Sequence, residues 1–332
     1  MPGITGQGTT FNLPNFVGEL FAITPADTPF LSAIGGITGG KEVTAKEWEW
    51  EGYTLRDADE ERQHVEGDEA PEAEERVRFD FTNVVEIHQE AVEISYTKLA
   101  AKGQRDGINT ADGSNPVANE MAFQVEVALK QVSRDVELGF LKGQYDKPGN
   151  NSSPRKTRGI LEAISQLPQA LTDDGYTPNV IDVNGALTEE AVLDLCQMAW
   201  EQGGIAESEL ATIMVNGWQK RVLTDVFITQ HNRTEQTRDV GGVNLQTIET
   251  DFGRLNIMLN RHMPKDQLAV VSLDVCHPTF LLVPDKGFLF VEDLAKTGAS
   301  EKKQLYGEIG LEYGSPLQHG KLTNLSVENP GS

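Results

Sequence analysis

The chain has 332 residues and is strongly acidic, since 51 Asp and Glu against 28 Lys and Arg give a formal net charge of −23. Such a surface repels nucleic-acid phosphates and anionic lipid, and no run of Lys and Arg forms a local basic patch, which argues against tight electrostatic binding to either. Two cysteines make no disulfide framework, and no apolar stretch approaches the ~20 residues of a membrane helix, so we expect a soluble protein without a secretion signal or a membrane partner.

The first 40 residues are rich in Gly, Thr and Pro and carry scattered apolar side chains. An arm that cannot bury its own apolar groups lays them on another surface, and a neighbouring subunit is one option. A loose segment on the surface of the same domain is the other option. The candidate contact residues of this N-terminal arm are Phe16, Leu20, Phe21 and Phe30.

Residues 41–95 have a hydrophobic pattern of period two, which predicts two strands with one apolar face each. Between them, residues 57–75 hold ten acidic side chains and one arginine, which predicts a polar hairpin end. A two-stranded ribbon is marginal alone in water, so its aromatic face is expected to pack on its own subunit or on a neighbour. The aromatic residues of that face are Trp48, Trp50, Phe79 and Phe81.

A long helix is predicted over residues 116–142, roughly 40 Å in length. Asn115 is a good N-cap, Pro116 suits the first helical position, and Gly143 can take the left-handed conformation that ends a helix. An apolar stripe recurs every three or four residues, at Met121, Val125, Ala128 or Leu129, Val132, Val136 and Phe140. The opposite face is predicted to be a charged surface and carries Glu120, Lys130, Arg134 and Glu137.

The hydrophobic pattern of residues 160–295 predicts a compact domain of mixed helices and strands. The predicted elements are a helix capped by Thr188 and ending at Gly203, a buried strand at 210–217, a helix at 217–230, a hairpin at 243–263 and further short strands. The tail, 305–327, alternates again, and its strands are expected to rejoin the sheet beside the long helix. The fold class indicated by these patterns is α+β.

The usual signatures of catalysis and metal binding do not occur in this sequence. It has no phosphate-binding loop, no nucleophile elbow and no HExxH metal helix. Six histidines lie singly along the chain. The acidic stretch does not match a calcium loop, because Arg62 and Asp68 stand where a glycine and a bidentate glutamate belong. We therefore assign no catalytic residue, no cofactor and no metal ligand, and we predict that the protein is not an enzyme.

Five segments, taken in order, are similar to one family. They are VGELFAITPADTPFLSAIGG (17–36), MAFQVEVALKQVSRDVELGFL (121–141), TIMVNGWQKRVLTD (212–225), GRLNIMLNRHMPKDQL (253–268) and GEIGLEYGSPLQHGKLTNL (307–325). Their order and spacing resemble the major capsid proteins of tailed bacteriophages, which have the HK-97-type fold, and within that group the SU-10-like major capsid family.

The resemblance implies an α+β fold of four parts. These are an N-terminal arm at 1–40, an extended β-hairpin loop at 41–95, a peripheral domain at 96–159 and 296–332 with the spine helix 116–142, and an axial domain at 160–295. In related shells the extended loop lies over the adjacent subunit. The resemblance therefore assigns Trp48, Trp50, Phe79 and Phe81 as assembly contacts.

The implied function is self-assembly of hexamers and pentamers into an icosahedral phage head that encloses double-stranded DNA without binding it specifically. The implied partners are further copies of the chain, a separate scaffolding protein, a portal and a decoration protein. The implied location is the virion, after assembly in the host cytoplasm. Two alternatives remain. An encapsulin-like cellular shell would hold an enzyme cargo, and an acidic cytoplasmic hydrolase would need His and carboxylate groups that converge in one pocket.

Overall fold

The computed structural model describes residues 27–37, 39–55, 58–70, 72, 78–97, 120–205, 211–229, 247–295 and 298–327. The chain forms two compact units. The smaller unit contains Asp27 and the described residues of 89–132 and 290–306. The larger unit contains the described residues of 28–88, 133–289 and 307–327.

The described residues form the following helices and strands. The helices are α1 (Pro29–Ala33), α2 (Glu120–Lys142), α3 (Ile160–Ser165), α4 (Gln169–Asp173), α5 (Glu189–Glu201) and α6 (Gly217–Thr224). The first seven strands are β1 (Lys41–Val43), β2 (Glu47–Tyr53), β3 (Arg78–Val84), β4 (Glu86–Ser95), β5 (Val180–Gly185), β6 (Ala211–Val215) and β7 (Thr247–Thr250). The remaining strands are β8 (Gly253–Leu259), β9 (Leu268–Ser272), β10 (His277–Leu281), β11 (Leu289–Asp293), β12 (Ser300–Glu312) and β13 (Gly320–Leu325).

The main core of the larger unit surrounds a six-stranded sheet in the order β5-β13-β9-β6-β8-β7. Strands β6 and β9 lie in its centre, and every residue of both is buried, as expected for strands covered on both faces. Helix α5 packs against the sheet with its apolar stripe, Val192, Leu195 and Ala199. Burial of these side chains removes apolar surface from water and is the main source of stability here.

Several elements of this unit confirm the sequence analysis. The Thr188 hydroxyl oxygen accepts a hydrogen bond from the Ala191 amide at 3.2 Å and caps α5, while Gly203 beyond its end has a φ of 76°. Strands β7 and β8 form the predicted hairpin. Helix α6 is shorter than predicted, because Asp225–Thr229 continues it as a π-helical turn and residue 230 lies outside the described residues.

The C-terminal tail differs from the prediction. From the sequence, β13, within residues 296–332, is assigned to the peripheral domain. The strand lies inside the six-stranded sheet, parallel to β5 and antiparallel to β9. Strand β10, assigned from sequence to the domain of residues 160–295, instead pairs with β12 and with β1. Short alternating strands carry no local signal of which partner they take, so these pairings depend on tertiary packing.

The smaller unit is built around strand β12, with which β4 and β11 pair. The aromatic rings of Phe290 and Tyr306 pack with centroids 5.6 Å apart. Lys303 pairs with Asp293 at 2.9 Å on the surface. Exposed ion pairs of this kind contribute about 0–1 kcal/mol, so the strand pairing matters more to this unit.

Helix α2 spans 23 residues, about 34 Å, and ends at Lys142 as predicted, while residues 115–119 lie outside the described residues. Of its predicted stripe, Met121, Ala128, Val132, Val136 and Phe140 are buried. Gly143 follows the helix for a reason other than the predicted one. Its φ is not in the left-handed region, and a Cβ there would stand 2.4 Å from the Thr157 carbonyl oxygen.

Glu137, predicted on the charged surface of α2, is fully buried. Its Oε1 accepts a hydrogen bond from the Phe30 amide at 3.0 Å and its Oε2 accepts one from the Leu31 amide at 2.7 Å. These amides belong to the first turn of α1 and have no partner within that helix. The side-chain amide of Asn260, just after β8, also donates to Glu137. A buried carboxylate is costly without such donors, so these contacts explain how Glu137 is tolerated.

His319, at the entrance to β13, is also fully buried. Its Nδ1 accepts from the Ser272 amide at 3.2 Å and its Nε2 donates to the Tyr313 carbonyl oxygen at 2.7 Å. Both ring nitrogens are satisfied only by the neutral imidazole, because a proton on Nδ1 would face the Ser272 N–H. Burial lowers the pKa of His319 to about 4.

The lowered pKa of His319 predicts acid sensitivity. The unfolded chain binds a proton near pH 6.5 and the folded chain only near pH 4, so this residue contributes stability that is complete above pH 6.5 and is lost as the pH falls to 4. The expected loss is about 3 kcal/mol of unfolding free energy. Urea unfolding of unassembled subunits at pH 4–7 measures it. The matched variant His319→Gln keeps a donor for Tyr313 but cannot titrate, and its unfolding free energy should fall less steeply. An equal pH dependence of the unfolding free energy in the natural chain and the variant would contradict the assignment of this effect to His319.

Replacement of Glu137 by glutamine should release α1. The glutamine side chain places an N–H donor against neighbours that are themselves N–H donors, so at least one of them loses its hydrogen bond. We expect a loss of about 1–3 kcal/mol in unfolding free energy. Hydrogen exchange should show reduced protection of the Phe30 and Leu31 amides. Glu126→Gln is the control, because Glu126 lies on the same helix in an exposed pair with Lys130 and its replacement should cost under about 0.5 kcal/mol. Unchanged protection in the Glu137→Gln variant would exclude the proposed anchoring.

Candidate assembly surfaces

Strands β2 and β3 form the predicted ribbon, paired antiparallel with Trp50 opposite Phe81 and Glu51 opposite Asp80. On β3 the buried residues alternate with exposed ones, so Phe79 and Phe81 share one face while Arg78 and Asp80 share the other. The period-two pattern thus predicted both the strands and their apolar face. This two-stranded sheet is separate from the other two sheets.

The apolar face of the ribbon packs on its own subunit. The Trp50 indole N–H donates to the Gly314 carbonyl oxygen at 2.9 Å, and the Trp50 ring meets Tyr313 edge-on with centroids 4.8 Å apart. Phe79 and Phe81 are buried in a cluster with Leu171 and Leu317. These contacts match the stabilising geometry of aromatic pairs.

The single chain leaves little of these aromatic residues free for a neighbour. Phe79 and Phe81 have almost no exposed surface. Trp48 and Trp50 are half-buried and stack on each other with centroids 6.3 Å apart. The Trp48 ring also covers Gly310, where a Cβ would stand 2.4 Å from it. Of the two alternatives left open by the sequence, packing on the same subunit is the one observed.

Polar contacts fasten the base of the ribbon. The side-chain amide of Asn83 donates to the Leu311 carbonyl oxygen at 2.6 Å and to the Arg158 carbonyl oxygen at 3.1 Å, while its own oxygen accepts from the Arg158 amide at 2.8 Å. Glu47 accepts hydrogen bonds from the Tyr145 hydroxyl and from Lys147. Sequence reasoning missed Asn83, because a single polar residue in a strand does not reveal its partners.

The outer end of the ribbon remains exposed. Tyr53, Leu55 and Val65 expose 71%, 74% and 77% of their surface, the largest values among the exposed large apolar residues of the described chain. Residues 58–70 add acidic side chains to this part of the chain. Exposed apolar groups within a polar rim are typical of protein interaction sites. These three residues are therefore further candidate contacts, beside the four ribbon aromatics named from the sequence.

Among the candidate contacts of the N-terminal arm, only Phe30 lies within the described residues. It is fully buried beside α2 in the single chain. Its burial follows from the hydrogen bond of its amide to Glu137, which holds α1 inside its own subunit. Phe16, Leu20 and Phe21 lie outside the described residues.

Two further exposed apolar residues lie on or beside the six-stranded sheet. The Trp200 ring, at the end of α5, packs on Phe252 in the turn between β7 and β8, with centroids 6.0 Å apart. Trp200 and Leu259 each remain about half-exposed, at 46% and 52%. The two residues come from different elements, so sequence spacing alone did not point to them.

Groups with chemical reactivity are sparse in the described ranges. These ranges contain no cluster of three or more His, Cys, Asp or Glu residues that could hold a metal ion. Both cysteines are buried, and burial raises the pKa of Cys196 to about 12. A thiol with so high a pKa is a poor nucleophile at neutral pH. Among the helices described, none has the length and apolar character to cross a bilayer.

Comparisons with known proteins agree with this architecture. The model of the SU10 major capsid protein family matches residues 3–326. The major capsid protein of Escherichia phage Phieco32 is 24% identical over an alignment of 357 positions, which spans 93% of each protein. The capsid of Cyanophage A-1(L) matches with a TM-score of 0.63 and 10% identity, over 96% of this chain and 98% of that one. The holo-SrpI encapsulin complex from Synechococcus elongatus PCC 7942 matches with a TM-score of 0.55 and 11% identity, over 97% and 95%.

At such low identity the solved structures show the fold alone. They confirm the predicted α+β fold of the HK-97 type. The family model carries the relationship further, because it spans nearly the whole sequence rather than one motif. This chain belongs to the SU10 major capsid protein family.

Proposed function

We propose that this protein is the major capsid protein of a tailed phage, and that its copies assemble as hexamers and pentamers into an icosahedral head that encloses double-stranded DNA. The observation that carries this proposal is the family match over residues 3–326. The fold supports it, since a ribbon fastened at its base and exposed at its end is suited to reach another subunit. Seven-residue strands extend about 23 Å.

The contact to a neighbouring subunit is made by the outer end of the ribbon. Tyr53, Leu55 and Val65 gain stability when a partner covers them, because each leaves apolar surface in water in the single chain. The aromatic base does not take part directly. It holds the ribbon at a defined angle, so that less conformational entropy is lost on assembly. Phe16, Leu20 and Phe21 of the arm remain proposed contacts of the same kind.

The charge of the chain suits a container for DNA. A net charge of −23 repels phosphates, which supports enclosure of the genome without specific binding. We further propose a separate scaffolding protein, a portal and a decoration protein as partners, and assembly in the host cytoplasm before the protein becomes part of the virion. In this role the chain needs no catalytic group, cofactor or metal.

An encapsulin-like shell is the second candidate function, because an encapsulin complex is among the solved structures of similar fold. The two candidates differ in their contents. Purified particles with DNA support the phage head, whereas particles with an enzyme cargo and no DNA support the encapsulin. No observation on the described residues favours the hydrolase alternative, which would need His and carboxylate groups that converge in one pocket.

The double variant Tyr53→Ser with Leu55→Ser should fold normally but assemble poorly. Both residues are highly exposed in the single chain, so their replacement should change the unfolding free energy of the subunit by less than about 0.5 kcal/mol. Sedimentation velocity and negative-stain images measure assembly. Shells of normal yield from this variant would disprove the role of the ribbon end.

Trp50→Ala is the matched comparison on the same ribbon. It removes the contacts to Tyr313, Phe81 and Gly314 and should cost on the order of 3 kcal/mol of subunit stability. Its assembly defect should therefore accompany a loss of folding, measured by urea unfolding. A Trp50→Ala subunit of normal stability would contradict the packing on its own subunit.

A further inference from the structure

A polar cavity of about 240 Å³ opens in the larger unit. Its walls come from the end of α2, helix α3, the loop after β8 and strand β13. Sites for drug-sized ligands usually have about 300–1,000 Å³, so this volume suits a small ion with a few waters. The residues that decide its chemistry are Lys142, Glu162, Gln267 and Lys321.

Lys321 forms the floor of the cavity and is buried, since only 8% of its surface is exposed. Its ammonium donates to the Leu161 carbonyl oxygen at 2.8 Å. In the part of the chain that the structure describes, Leu161 is its one hydrogen-bond or ion-pair partner. An ammonium carries three donors, so two of them remain for a ligand.

Among the described residues, no carboxylate forms an ion pair with the Lys321 ammonium. Burial lowers the pKa of Lys321. A buried charge without a partner costs free energy that a bound anion would recover. Such a residue is therefore either a structural cost or part of a binding site.

The lining supplies a second unsatisfied group. The Oε1 atom of Gln267 is buried and has no hydrogen-bond partner among the described residues. Lys142 adds a second positive charge from the end of α2. The one carboxylate that lines the cavity, Glu162, already accepts a hydrogen bond from the Tyr145 amide. The lining thus has two cations and one anion, together with an acceptor that needs a donor.

We propose that this Lys321 cavity binds a small oxyanion, and that inorganic phosphate has the right chemistry. Charged phosphate oxygens accept hydrogen bonds from Lys321 and Lys142. The hydroxyl group of singly protonated phosphate donates to Gln267 Oε1, which an anion without a proton cannot do. A carboxylate side chain from a second copy of the chain offers acceptor oxygens to the two lysines but no donor to Gln267 Oε1, so phosphate fits the lining better. All lining residues belong to one unit of one chain, so the site does not depend on the proposed function.

Isothermal titration of unassembled subunits with phosphate, at constant ionic strength and against chloride, tests this proposal. The natural chain should give saturable binding. Lys321→Met keeps the length of the side chain without its charge and should weaken binding at least tenfold. Gln267→Leu should weaken it severalfold. Lys265→Met is the control, because Lys265 is exposed near the cavity but does not line it, and it should bind as the natural chain does.

Circular dichroism and urea unfolding show whether each variant folds. If Lys321→Met does not fold, Gln267→Leu and Lys142→Met carry the test. Absence of saturable binding in the natural chain, or equal affinity in the folded cavity variants and the control, would overturn the proposal.

The same titration on assembled shells separates the two sources of the anion. Binding retained in shells identifies a free anion as the ligand. Binding present in subunits but lost in shells identifies a carboxylate of a second copy as the occupant. Either result follows from an oxyanion site, and neither depends on whether the shell encloses DNA.

Discussion

The arrangement of the larger unit depends on the hydrogen bonds of one buried carboxylate, that of Glu137. It joins three segments that are far apart in sequence: the start of α1 at Phe30 and Leu31, the helix α2 that carries it, and Asn260 after β8. A carboxylate removed from water needs several donors, and here two backbone amides and a side-chain amide supply them. Loss of the Glu137 carboxylate or of its N–H donors would leave buried polar groups without hydrogen bonds. The contact therefore specifies one position for α1. It also explains why Phe30 is part of the core.

The ribbon shows how one element serves both stability and assembly. Its base is fixed by aromatic packing around Trp50 and by the hydrogen bonds of Asn83, whereas its end leaves Tyr53 and Leu55 in water. A ribbon that had to place all its apolar residues on a neighbour would be marginal before assembly. With its base anchored on its own subunit, the ribbon retains a defined direction, and only the outer end depends on a partner.

Two buried polar residues near β13 illustrate different outcomes of burial. His319 has a hydrogen-bond partner for each ring nitrogen, so the neutral imidazole is buried at little cost in free energy. Its two hydrogen bonds also fix the start of β13. Lys321, two residues later, has one partner for its three ammonium donors among the described residues. Both side chains leave water on entering the same sheet, yet only one of them meets a complete set of partners. That difference is what distinguishes a structural residue from a candidate binding residue in this part of the chain.

The sequence by itself determined the elements whose causes are local. Helix α2, the Thr188 cap, the buried strand β6 and the two-faced ribbon depend on residues within a few positions of one another, and spacing and capping chemistry predict them. It also indicated the family, because five different segments, taken in order along the chain, resemble that family. Only the tertiary structure decided which strands pair with β13 and which surface the ribbon aromatics cover. It also decided that Glu137 is a buried anchor. The physical reason is that a helix face or a strand edge carries no mark of the distant segment that will lie on it, and burial, charge compensation and the remaining exposed surface follow from that segment.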